Sequence, residues 1–176
     1  MLNLNTEERG LELCKLYLDE KLWPAIFAGP HTFNPYHNER HELQTVYHAY
    51  RAWLSMNGSV HAGDLEYLIA AAAFHDHNHS GGALSDAENI KAAVVAYCAL
   101  RVPSFGNIVD QSTIDLGVNA VLERLQSSAG LQYGTLCELR SVVRTIQCTQ
   151  FNGASGFERE PQNMMERCIR DADLMA

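Results

Sequence analysis

Between Asp64 and Phe74 the chain reads DLEYLIAAAAF, which is apolar around nearly its whole circumference when wound as a helix. A helix with one apolar stripe can lie on a surface, but a helix apolar on all sides has to be covered on several of them. Alanine and leucine make the segment a good helix former, and it is far too short to cross a bilayer. The expectation is a central buried helix, around which other helices pack. It runs straight into His75 and Asp76.

The rest of the sequence supplies those helices. Leu11 through Trp23 have helical apolar spacing after the acidic residues Glu7 and Glu8, and the segment ends at Pro24. A loop from Gly29 to Pro35 follows. From His37 to Met56 the spacing of Leu43, Val46, Tyr47, Tyr50 and Leu54 is helical again, with Asn57 and Gly58 as the stop. Ser85 and Glu88 form a capping-box pattern that starts a helix reaching about Leu100. Further helices are expected at about Gln111 to Ser127, Thr135 to Gln150 and Pro161 to the end. Only VVRTIQCTQF, rich in β-branched residues, has any strand character. A chain of 176 residues fits one domain that buries roughly 70% of its unfolded surface. The expectation is therefore all-α, a single compact bundle of about six to seven helices over residues 1–176.

Charge and cysteine usage narrow the function. The formal charge is −8, and Lys and Arg are dispersed without a basic tract, so no extended nucleic-acid surface is evident. A small anionic substrate would need local positive charge, which bound metal ions can supply. Five scattered cysteines without a CxxC pair suit reduced, mostly buried thiols. The start, MLNLNTEERG, lacks the basic and apolar regions of a signal peptide, and no membrane span is readable, so a cytoplasmic location is expected. Oligomeric state stays open.

Six of the eight histidines fall in two segments, PYHNERHELQTVYH and FHDHNHSGG. His37 and His41 are four apart, so on a helix they lie about 40° apart around the axis and can address one site. His48 lies close to the same stripe. His75 and Asp76 stand at the C-terminal end of the buried helix, where exposed carbonyls favour a cation, and imidazole with carboxylate suits a divalent transition metal. The ending RDADLMA offers a further carboxylate from Asp171 or Asp173. These two are about 200° apart on a helix, so only one should face the site.

This ordered set, His41, the doublet His75 and Asp76, and a late aspartate in the phrase ADL, resembles the HD superfamily of metal-dependent phosphohydrolases. HNERH is similar to the HNxxH signature of class I cyclic-nucleotide phosphodiesterases, and HDHNH to their HDxxH. Small predicted bacterial HD phosphohydrolases share the YHNxxH start, the FHD doublet, a DxE (Asp86 and Glu88), an IxxT helix (Ile146 and Thr149) and a DADL ending. The resemblance spans roughly Pro35 to Leu174. It implies an HD-domain bundle and selects Asp173 over Asp171. His41, His75, Asp76 and Asp173 would hold a divalent ion (Mn, Mg, Co, Zn, Fe or Ni), with room for a second ion if Asp76 bridges. It further implies that His37 protonates the leaving oxygen, that His79 orients a ligand or joins the second metal, and that Glu88 helps position water or substrate.

Simpler roles compete at several positions. Glu88 completes a capping box, His79 is a loop histidine, His77 and His48 are structural or solvated, and His31 and His61 have no role. Arg40, Lys91, Arg144 and Arg170 could touch a phosphate but suit a solvated face equally. Tyr36 and Phe33 could stack on a base or staple the helix entry. The expected activity is hydrolysis by metal-activated water of a phosphate ester or anhydride on a small molecule, with nucleotides favoured by the resemblance. The alternative is a metal-containing nucleotide-binding or sensor module without turnover.

Overall fold

A computed structural model describes residues 5–28, 35–56, 62–128, 130–151 and 156–176. Most of the Gly29–Pro35 loop lies outside them, as do Phe33, His31, His61 and the expected Asn57–Gly58 stop.

The chain is all-α. Among the described residues there are α1 (Thr6–Tyr17), a 3-10 turn (Trp23–Phe27), α2 (Glu39–Ser55), α3 (Ala62–Phe74), α4 (Asp86–Arg101), α5 (Phe105–Ile108), α6 (Gln111–Asp115), α7 (Val118–Gln126), α8 (Tyr133–Gln147) and α9 (Met164–Asp173). No described helix is long and apolar enough to cross a membrane.

The nine α-helices among the described residues exceed the expected six to seven, and local chemistry explains the difference. The segment expected to run from Gln111 to Ser127 is cut in two at Gly117, whose φ of 105° breaks helical winding. Asp110 starts α6 by accepting the Thr113 N–H at 2.9 Å. The short α5 carried no periodic signal. At the N-terminus, α1 begins before Leu11, because Asn5 and Glu8 form a reciprocal capping box. It ends at Tyr17, and Pro24 falls inside the first turn of the 3-10 segment, where its missing N–H costs nothing. The β-branched stretch at Val142 is helical through Gln147, and only an isolated antiparallel bridge joins Phe151 to Phe157.

The buried helix holds the position its composition demands. Leu68 through Phe74 are each no more than 3% exposed, and α3 packs against α1, α2, α8 and α9. The apolar cluster around it draws on every helix except α6, whose Ile114 packs against its edge. All five cysteines are free, and four are buried. Gly10 lets α1 approach α2, since a Cβ there would come within 2.0 Å of the Leu43 carbonyl oxygen. That close contact fixes the helix that carries His41.

Candidate metal centre

Three helices deliver the site. Asn38 caps α2 by accepting the N–H groups of Arg40 (3.0 Å) and His41 (3.2 Å), which fixes the first turn of α2 and with it His41. His75 and Asp76 follow directly on the C-terminus of α3. Asp173 is the last residue of α9. All the expected ligands meet: His41, His75, Asp76 and Asp173 each offer a ligand atom, all within 4.8 Å of one another, and these four residues could hold a metal ion. Asp171, two residues before Asp173, is exposed and lies outside this group.

The spacing suits an ion at the centre. His41 Nε2 stands 3.0 Å from Asp173 Oδ1, 3.3 Å from His75 Nε2 and 3.4 Å from Asp76 Oδ2. His75 Nε2 is 3.3 Å from Asp173 Oδ1 and 3.6 Å from Asp76 Oδ2. With ligand bonds of about 2.1 Å, neighbouring ligand atoms lie about 3.0 Å apart at right angles and about 3.4 Å apart at the tetrahedral angle. The observed separations fall along those edges. His75 is also oriented for such a task, because its Nδ1 faces the Ala72 carbonyl at 2.9 Å, which leaves Nε2 facing the other three residues. His41 Nδ1 is buried without a partner among the described residues.

Without a metal the same residues form a buried charge network. Burial opposes the charge on His75, but the carboxylates of Asp76 and Asp173 override it and raise its pKa to about 10. Burial likewise opposes ionisation of Asp76 and Asp173, and His75 is the largest of the influences that nonetheless hold both carboxyls below the usual range. Beneath them lies Glu42, 1% exposed, whose carboxylate oxygens accept no hydrogen bond among the described residues. Burial pushes its pKa well above the ordinary carboxylate value. The apolar spacing of α2 gave no sign of an acid here.

His37 and His79 join from the other side. Because α2 starts at Glu39, His37 precedes the helix and shares no helical stripe with His41; its Nδ1 instead contacts Asp76 Oδ2 directly. The His79 ring stacks on His37, with centroids 3.6 Å apart and planes 15° apart. Asn78, with φ of 64°, turns the chain so that His79 comes back to the site. His79 Nδ1 accepts the Gly81 N–H (3.0 Å), and its Nε2 lies 3.0 Å from the Asn89 side-chain amide, whose oxygen accepts the Ser80 N–H. Burial lowers the pKa of His79, which favours its neutral form. His37, Asp76 and His79 form a second group that could hold an ion, sharing Asp76 with the first.

Glu88 stands apart from both groups. Its backbone N–H is capped by Ser85, but its half-exposed carboxylate pairs with Lys91 at 2.7 Å instead of closing a capping box. His48 belongs to neither group, and buried His77 packs on Phe74. Arg40 pairs with Glu7, Arg144 is exposed, and Arg170 lies over the Phe157 ring. Tyr36 leans on the His41 ring, centroids 4.6 Å apart.

A cavity of about 250 Å³ opens onto the cluster, with His37, Asp76 and Asp173 in its wall. Opposite them stand Asp86, Ile90, Thr149, Phe151 and Phe157. Asp86 and Thr149 belong to the DxE and IxxT motifs of the resemblance but had been given no role, and Ile90, Phe151 and Phe157 carried no signal, since no periodic pattern reveals that the segment after α8 reaches α4. No family model, curated protein or solved structure matches the chain. The helical fold and the His/Asp cluster are consistent with an HD-type arrangement.

Proposed function

We propose that the protein is a metal-dependent phosphohydrolase that cleaves a phosphate ester or anhydride of a small molecule. The observation that carries this reading is the convergence of His41, His75, Asp76 and Asp173 from three helices beside a cavity that Asp76 and Asp173 line. A divalent ion held there would lower the pKa of a bound water and neutralise charge on the phosphoryl oxygens.

The protein's own groups supply the rest. The water oxygen bonds to phosphorus as the bond to the leaving oxygen breaks. His37, in the cavity wall and against Asp76, is placed to give the leaving oxygen its proton, and the proton released by water returns to it through solvent. His79, stacked on His37, holds that ring in position. Nucleotides are the substrates that the sequence resemblance favours.

The test loads metal-free protein with Mn²⁺, Mg²⁺, Co²⁺, Zn²⁺, Fe²⁺ or Ni²⁺ in turn and measures phosphate release or ring opening across phosphate esters and nucleotides. Asp76→Ala is the control, and turnover that survives it refutes the mechanism. Tight metal binding with no turnover on any substrate would instead mark a sensor module.

A further inference from the structure

The chain holds 13 lysines and arginines, all of them among the described residues, and none lines the cavity. Three carboxylates do: Asp76, Asp86 and Asp173. An ion on the cluster would offset Asp76 and Asp173, whereas Asp86 belongs to neither of the two groups that could hold an ion. Sites that hold chains of phosphates surround them with Lys, Arg and metal. Among the described residues the cavity wall offers no lysine or arginine to meet a second or third phosphate, and it holds a carboxylate to repel one.

Asp86 itself is only partly engaged. It begins α4 behind the cap Ser85, and its Oδ2 accepts the Phe151 N–H. Among the described residues no hydrogen bond reaches Oδ1. Around it Ile90, Phe151 and Phe157 form an apolar wall, the two phenyl rings 5.5 Å apart and nearly perpendicular. A cavity of about 250 Å³ is at the small end for ligand sites, which commonly run to roughly 300–1,000 Å³. A lone carboxylate in such a wall discriminates strongly, since a ligand that gives it a donor gains a charge-assisted hydrogen bond while an anion meets repulsion.

Resting on the hydrolytic reading of the same site, we infer that the substrate has a single phosphorus centre and a small organic part. That part lays an apolar or flat face against Phe151 and Ile90 and presents a hydroxyl or ammonium donor to Asp86. Asp86 is thus a specificity-determining residue, and triphosphates are excluded.

Binding and turnover separate the two ideas. Calorimetry on the Mn²⁺-loaded protein compares phenylphosphonate, its 4-aminomethyl and 4-carboxy derivatives, and a non-hydrolysable nucleoside triphosphate. The aminomethyl compound is expected to bind roughly tenfold or more tightly than the carboxy compound, the worth of one hydrogen bond to a charged group, with the triphosphate weakest. Asp86→Asn keeps the shape and an oxygen for the Phe151 N–H, and is expected to bring the two derivatives within about threefold. Tighter binding of the carboxy compound or the triphosphate, an unchanged ratio in Asp86→Asn, or no binding of any of them overturns the inference. Phosphate release from the corresponding aryl phosphates reports separately on hydrolysis, so that reading can fail while the cavity's selectivity stands.

Discussion

Asp173 and Asp171 offer a sharp test of the metal centre, because both are carboxylates at the end of α9 and only Asp173 faces His41 and His75. Metal that binds the folded chain alone stabilises it by RT ln(1 + [M]/Kd), about 2.7 kcal/mol at one hundred times Kd. For a chain of 176 residues, unfolding entropy makes each kcal/mol worth about 2–4 °C, so metal should raise Tm by roughly 5–11 °C. Loss even of a group that only supports a metal ligand weakens affinity by about 10–100-fold, and loss of a ligand should do at least as much. At the same metal concentration Asp173→Ala would then sit near half-saturation, leaving about 0.4 kcal/mol and a Tm rise of about 1–2 °C. Asp171→Ala should keep the full rise. The measurement is calorimetric melting of chelator-treated protein with and without Mn²⁺ or Zn²⁺, comparing each variant with itself so that any change in intrinsic stability cancels. A full shift in Asp173→Ala, or its loss in Asp171→Ala, would refute the assignment.

Metal uptake should release protons: His75, raised to about 10 by its carboxylates against the opposing effect of burial, is protonated at pH 7 in the metal-free chain. Metal affinity measured by competition with a chelator should therefore rise by about tenfold per pH unit between pH 7 and 9, and a flat profile would contradict the network. Glu42 has its pKa raised by burial, so the unfolded chain releases this proton first and the metal-free fold loses stability as pH rises above about 4.5. Glu42→Gln should gain relative to wild type by up to about 1.4 kcal/mol per pH unit over that window in urea titrations, and an unchanged difference across pH 5–7 would count against it. Gly10→Ala, normally a stabilising change in a helix, should lower stability here by about 1–3 kcal/mol, because its Cβ meets the Leu43 carbonyl. A higher Tm would show that α1 and α2 separate without cost.

What could be read from the sequence was local. A helix apolar on every side forces its own burial, so α3 and the place of His75 and Asp76 at its end followed from eleven residues. The choice between Asp171 and Asp173 narrowed to one facing residue by helical angle alone, and the structure turns Asp173 inward. The errors arose where a backbone choice or a distant segment decided the outcome. Periodicity placed His37 on a helix with His41, but the cap at Asn38 starts α2 after it, and His37 reaches Asp76 from outside the helix. Glu88 had the spacing of a capping-box partner, yet Lys91 three residues on takes its carboxylate.

The cavity wall shows why such a site is only half legible. Metal ligands are few, polar and chemically distinctive, so they stand out in a sequence even when the fold is unknown. The cavity wall is built from residues such as Ile90, Phe151 and Phe157 that any core could use, and Asp86 at the start of α4 helps to form it by holding the backbone of Phe151, 65 residues away. The carboxylate is thus both part of the wall's construction and the one carboxylate in it that belongs to neither group that could hold an ion. Asn at position 86 preserves the first property and removes the second, which is why substrate selection can be tested there without dismantling the cavity.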